Sequence, residues 1–183
     1  MLFRSVALRK ASEVIEVIEE SMALAMMSWI IAIPLLGAVT GLRSMTSMAV
    51  LCWFAYKGHL QLDGGWDQWA TKLPTAIIFT VLAAGEYIAD KLPQTPNRTS
   101  PGPLAVRVIM GGLVGALVAD GLDGPGFEGA FLGIVGALIG TFGGFLIRRE
   151  LVERGGGNDW PVAVVEDAIA IGCAVLAMGI VTG

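Results

Sequence analysis

The sequence predicts an all-α integral membrane protein, a bundle of five to six transmembrane helices preceded by an amphipathic N-terminal helix. Three observations carry this. Of 183 residues, 55% are hydrophobic and only 15% charged, far more apolar than a soluble domain of this size. The apolar residues fall in runs near the roughly 20 residues needed to cross a hydrocarbon core roughly 30 Å thick. Glycine occurs 25 times, which suits helices packed closely in lipid, and the alternating segments of a membrane β-barrel are missing. The formal charge of -4 offers no basic face for nucleic acid.

Residues 1–21 read as the amphipathic helix. Val14, Ile15, Val17 and Ile18 alternate with Glu13, Glu16, Glu19 and Glu20, a pattern for lying along a membrane surface or on a partner. Mixed charge through Glu20 distinguishes it from a cleaved signal peptide. Residues 22–183 form the transmembrane domain. Met22 to Gly41 is long enough to span; "GLRSMTS" (Gly41 to Ser47) interrupts it, and a shorter run, Met48 to Tyr56, follows. These are two crossings, one long broken helix or a re-entrant pair, and the pattern leaves all three open. A polar loop (Lys57 to Lys72) leads to a span from Leu73 to Asp90, with Pro74 in its first turn, where proline is tolerated. "PQTPNRTSPGP" (Pro93 to Pro103) is a loop, since four prolines forbid a helix. Further spans are Leu104 to Ala119, Ala130 to Ile147 and Val162 to Val181, joined by an acidic turn (Asp120 to Gly129) and a charged, Gly-rich loop (Arg148 to Pro161). Lysine and arginine near the Pro-rich and Gly-rich loops place those loops in the cytoplasm.

Gly133, Gly136, Gly140 and Gly144 recur at three- and four-residue steps, as do Gly111, Gly115 and Ala119. Such faces serve close helix packing within the chain or, alternatively, a two-fold homo-oligomer interface. "LLGAVTG" (Leu35 to Gly41) resembles "IVGALIG" (Ile134 to Gly140), and "GGWDQWATKLP" loosely resembles "GGGNDWP". The two likenesses fit an inverted 3+3 repeat with a broken first helix, a plan of many secondary transporters.

Charge inside these spans is the candidate site. At 1.5 Å rise per residue, Glu86 lies on the order of 10 Å below the cytoplasmic end, with Asp90 one turn nearer the surface. Glu166 and Asp167 lie on the order of 8 Å in from the same side. Arg107 enters from there too, and with six crossings Arg43 also faces it. A charge in hydrocarbon costs at least about 3 kcal/mol, so these groups should face each other or water; Arg107, with Arg43, is expected to pair with Glu86 and Glu166. The structural alternative has Asp90 and Arg107 reaching headgroups and Asp167 serving as a first-turn helix acid. Asn97 and Arg98, with Thr99 and Ser100, offer donors for a phosphate or carboxylate. One histidine, His59, and two separated cysteines, Cys52 and Cys173, show no metal-ligand spacing, so neither a cofactor nor a metal is expected.

The strings "GLRSMTSMA", "GEYIADKLPQTPNRTSPGPLAVR" and "GGLVGALVADG" resemble an uncharacterised bacterial membrane family catalogued as a domain of unknown function. The likeness covers most of Gly37 to Gly183. It implies a multi-span bacterial protein in the inner (plasma) membrane with this motif at its centre, and it brings no activity with it. The expected function is a small transporter or permease taking a small solute or ion from the cytoplasmic side, in the lipid bilayer, as a homo-oligomer with a dimer favoured. Two other classes fit less well: a membrane-embedded enzyme acting on lipid phosphate, and a non-catalytic scaffold whose N-terminus recruits a partner.

Overall fold

Interruptions in the apolar pattern decide how this chain is arranged. The computed structural model describes residues 9–10, 13–19, 22–23, 26, 28–90, 99–155 and 159–183, and among these it is helical with no strand. Residues 13–19 are helical, and Val14, Ile15, Val17 and Ile18 are all exposed. A π-type turn, Ser28–Ala32, leads into α1, Ile33–Leu42. Pro34 lacks an N–H, and its ring would crowd the carbonyl four residues back, so a widened turn before it is the expected accommodation. A three-residue tip, Arg43 to Met45, separates α1 from α2, Thr46–Tyr56.

α2 ends in a glycine-terminated cap. Gly58 adopts φ 77°, and the chain then donates from Gly58 N–H to Ala55 O (3.0 Å) and from His59 N–H to Phe54 O (3.0 Å). The Phe54 and His59 rings lie 5.9 Å apart, tilted by 57°, a side-chain contact of the kind that accompanies this cap. The single histidine is thus accounted for by helix termination.

Beyond a connection carrying a short 3₁₀ turn, Gln68–Thr71, four helices follow: α3, Leu73–Ala89; α4, Pro101–Asp120; α5, Gly126–Arg154; and α6, Asp159–Thr182. The last three are long and apolar enough to cross a membrane; Trp29–Leu42, Thr46–Tyr56 and Leu73–Ala89 are shorter. Several boundaries differ from expectation; α5 begins at Gly126 rather than Ala130. α4 begins at Pro101 rather than Leu104, because prolines in a first turn cost no hydrogen bond. α5 runs on through Arg154, where a loop was expected from Arg148. The ion pairs Arg149–Glu153 and Arg154–Glu150, each four residues apart, support helix past the end of the apolar run. α6 starts at Asp159, whose charge suits a helix N-terminus.

Contacts at the bundle ends define the path of α1 and α2. A side chain at Gly124, in the turn between α4 and α5, would strike the Trp29 ring, and one at Gly121 would meet Leu60 at 2.5 Å. The start of α1 and the residues after α2 therefore both lie at the acidic turn, while the tip reaches toward the opposite, arginine-bearing end. α1 and α2 form a helical hairpin that enters and leaves at the acidic end. α1 is its inner arm, packed between α4, α5 and α6, and Ile33, Leu36, Val39 and Thr40 are buried there.

Glycine makes this insertion feasible. A Cβ at Gly37 would meet the Gly133 carbonyl, one at Gly136 the Pro34 carbonyl, and one at Gly140 the Ala38 carbonyl. Gly111 and Gly115 of α4 face Gly133 and Gly129 of α5 in the same way. In lipid, where apolar surface gives helices no net drive to associate, such close backbone approach supplies the dispersion contact. These glycine faces are occupied within the chain. The two look-alike segments, Leu35 to Gly41 and Ile134 to Gly140, pack directly on each other.

Candidate functional site

A helix that stops inside an apolar layer leaves carbonyls without donors at one end and N–H groups without acceptors at the other. At the hairpin tip both sets are met by charged side chains from other helices. Where α1 ends, Gly41 O accepts from Arg107 Nη1 at 2.6 Å and lies 3.2 Å from Thr141 Oγ1; Leu42 O is 3.4 Å from the same guanidinium nitrogen. Where α2 begins, Ser44 N–H and Met45 N–H donate to Glu86 Oε1 (2.8 Å) and Oε2 (3.0 Å). A cation sits at the negative pole of one half-helix and an anion at the positive pole of the next. Arg107 Nη2 and Glu86 Oε1 are 3.9 Å apart, so the pair clasps the break from either side. Ser47 Oγ donates to Leu36 O (2.8 Å), Thr46 and Tyr87 hydroxyls meet at 2.7 Å, and Trp53 Nε1 donates to Thr80 Oγ1 at 2.9 Å; these tie α2 to α1 and α3.

A second layer of charge lies just beyond. Arg43 is wholly buried. Its Nη1 lies 2.9 Å from Asp90 Oδ2 and its Nε 2.7 Å from Asp167 Oδ1, and its guanidinium carbon lies 5.6 Å from the centre of the Tyr87 ring. Both carboxylates are at ion-pair distance, but none of the guanidinium nitrogens has an aligned hydrogen bond among the described residues, so charge attraction and the ring face hold this side chain. Arg148 gathers three acids: Asp90 Oδ2 at 2.6 Å, Glu166 Oε2 at 3.2 Å, and Asp159 in a two-pronged contact at 2.9 and 2.6 Å. Asp90 bridges Arg43 and Arg148. The tip, α3, α4, α5 and α6 all contribute to one network.

The six expected residues Glu86, Asp90, Arg107, Glu166, Asp167 and Arg43 thus belong to one cluster. One expected pairing differs. Glu166 was assigned to Arg107, and the guanidinium found against it is Arg148; Arg107 is turned to the end of α1 because unsatisfied carbonyls there demand a donor. Asp90 and Asp167, given a headgroup or helix-end role as the alternative, both reach Arg43. Asn97 and Arg98 lie outside the described residues. Arg148, Asp159, Tyr87 and Thr141 were missed. Arg148 lies within α5, one residue past the apolar run, and Asp159 opens α6; both fell in the stretch read as a loop, and Tyr87 and Thr141 carried no signal. Cys52 is buried and Cys173 half-buried, both as free thiols.

Two clefts flank the tip. α3 leans on α2, and between α3 and α4 a cavity of about 590 Å³ is lined by Ser44, Met45, Glu86, Asp90 and Arg107 beneath apolar walls. Between α5 and α6 a second, of about 390 Å³, reaches Leu42, Arg148 and Glu166. Among the described residues, no three His, Cys, Asp or Glu side chains converge as a metal site. The network can hold charge in an apolar layer and present backbone N–H groups, guanidinium and carboxylate to a solute in the larger cleft.

No curated protein and no solved structure matches this chain. Its sequence matches the family described as Domain of unknown function (DUF4126) over residues 30–180, most of its length, and the chain belongs to that family.

Proposed function

We propose that this protein is a small permease of the bacterial inner membrane, moving a small charged solute or an ion through the cleft beside Glu86 and Arg107. One observation carries the reading. The Glu86 carboxylate occupies a ready anion site, two successive backbone N–H groups at a helix start with a guanidinium beside it, and that site borders a cavity of about 590 Å³. Helices interrupted at membrane depth are tolerated where they line a cavity, and their exposed ends are the ion- and substrate-binding elements of many secondary transporters. In this reading a solute anion displaces Glu86 from Ser44 and Met45, and the freed carboxylate swings toward Arg107. The sequence likeness of Leu35 to Gly41 and Ile134 to Gly140 is the support for two structurally related halves. The arms of the hairpin supply two of six membrane segments, the arginine end faces the cytoplasm, and the working unit is a homodimer that meets through a surface other than the α1–α4–α5 glycine faces.

Uptake in proteoliposomes tests this. Glu86→Gln and Glu166→Gln should each lower transport at least about tenfold, the scale of one lost charge-assisted hydrogen bond; unchanged uptake in both rejects the site. In Glu86→Ala, acetate or formate should bind at the vacated N–H groups and restore thermal stability, which the wild-type protein should not require.

A further inference from the structure

At the acidic end, Asp67 is fully buried, and neither carboxylate oxygen receives a hydrogen bond from the described residues. Its position, directly before the 3₁₀ turn Gln68–Thr71, is one where an aspartate side chain commonly caps the backbone, and here it does not. The carboxylate instead contacts Asp120, the last residue of α4. Gly64 seats both groups: a methyl there would lie 2.7 Å from Asp120 Oδ2 and 3.4 Å from Asp67 Oδ1. The Trp66 side chain also borders Asp120. Asp120, Gly64, Asp63, Asp123 and His59 line a cavity of about 680 Å³. The titratable groups lining that cavity with Asp120 are Asp63 and His59 from the connection after α2 and Asp123 from the turn after α4. Lys57 and Lys72 are on that connection but exposed, and no described basic side chain forms an ion pair with any of these acids.

Two carboxylates in contact, one of them out of water and without a donor, are not stable as two bare anions; such pairs hold a positive charge between them. Among the described residues no third His, Cys, Asp or Glu side chain converges on the pair, and a single positive charge is the least that offsets two carboxylates in contact. We infer that Asp67 and Asp120 together bind one monovalent cation, a shared proton or a sodium ion, at the acidic end of the bundle. This site is separate from the arginine cluster and does not rest on the permease reading.

The test uses the full chain in nanodiscs, as wild type, Asp67→Asn and Asp120→Asn. An asparagine amide can donate to the remaining carboxylate, so both variants should fold. Thermal unfolding is followed against pH, and separately against sodium replaced by N-methylglucamine at constant ionic strength. With a shared proton, the native state holds a proton that the unfolded chain has released, so wild-type stability falls as pH rises, and the infrared band of a protonated carboxyl is present and lost in each variant. With sodium, wild-type stability rises with sodium concentration. In either case the dependence is lost in Asp67→Asn. Wild type and variants with the same pH and sodium profiles overturn the inference. If the variants do not fold, a wild type showing neither the carboxyl band nor a sodium response overturns it as well.

Discussion

The two ends of this bundle treat charge in opposite ways. At the arginine end, three guanidiniums (Arg43, Arg107 and Arg148) meet five carboxylates (Glu86, Asp90, Asp159, Glu166 and Asp167), and each half-helix end is met by a side chain of opposite sign. At the acidic end, Asp67 is as buried as Arg43, yet what touches it is another acid. The difference shows that burial alone does not mark a structural ion pair. At the arginine end Arg107 and Glu86 satisfy the backbone break they flank, whereas the Asp67 side chain caps no backbone group and faces a second acid.

The largest expected effect breaks the arginine end. Arg43→Leu leaves Asp90 and Asp167 facing a buried apolar side chain and should cost about 3–5 kcal/mol, as removal of one partner from a buried pair does. Loss of the folded fraction in detergent, or a large drop in unfolding midpoint, would show it; a near-neutral outcome would mean that Arg43 is not seated between those acids. By contrast Asp67→Asn should be close to neutral at neutral pH, because losing one carboxylate removes the need for the cation and the amide can donate to Asp120. Equal penalties for the two substitutions would erase the distinction between the ends.

Seating of the tip gives the next effect. Gly140→Ala places a methyl against the Ala38 carbonyl and should destabilise by about 1–3 kcal/mol, the range for overpacking. Gly143→Ala on the same helix meets nothing within 4 Å and should be neutral or stabilising by about 0.5–1 kcal/mol from helix propensity. If the two behave alike, α1 is not wedged against α5. Glu86→Ala should cost about 1–3 kcal/mol by exposing two N–H groups without acceptors. Glu86→Gln should cost less, since its oxygen still accepts one of them. Unfolding midpoints of the pair, read side by side, separate loss of the cap from loss of the charge. The smallest effect is Arg154→Ala: that pair is 77% and 54% exposed, screened by solvent, and worth at most about 0.5 kcal/mol.

Much of the site was legible. Glu86, Asp90, Arg107, Glu166 and Asp167 interrupt apolar runs at a common depth, and the cost of charge in hydrocarbon is enough to predict that such residues converge. Which acid meets which base was not legible, because partner choice at that depth is set by helix rotation and by unsatisfied backbone groups that carry no sequence signature. Arg107 illustrates this: its partner was sought among side chains, and it donates to the Gly41 carbonyl at 2.6 Å. Arg148 was hidden because hydropathy ends at Ile147 while the helix continues through Arg154, held by pairs on its exposed face.

The sequence by itself determined helical class, membrane character, the four helices after Lys72 and the depth of their charges, since all of these follow from local hydropathy and a fixed rise per residue. Only the tertiary structure decided that "GLRSMTS" is the tip of a hairpin returning to its own side, that glycine faces are closed within the chain, and that Asp67 meets Asp120. Those depend on contacts between segments far apart in the chain, where a missing Cβ or an orphaned N–H selects the neighbour and no local pattern records the choice.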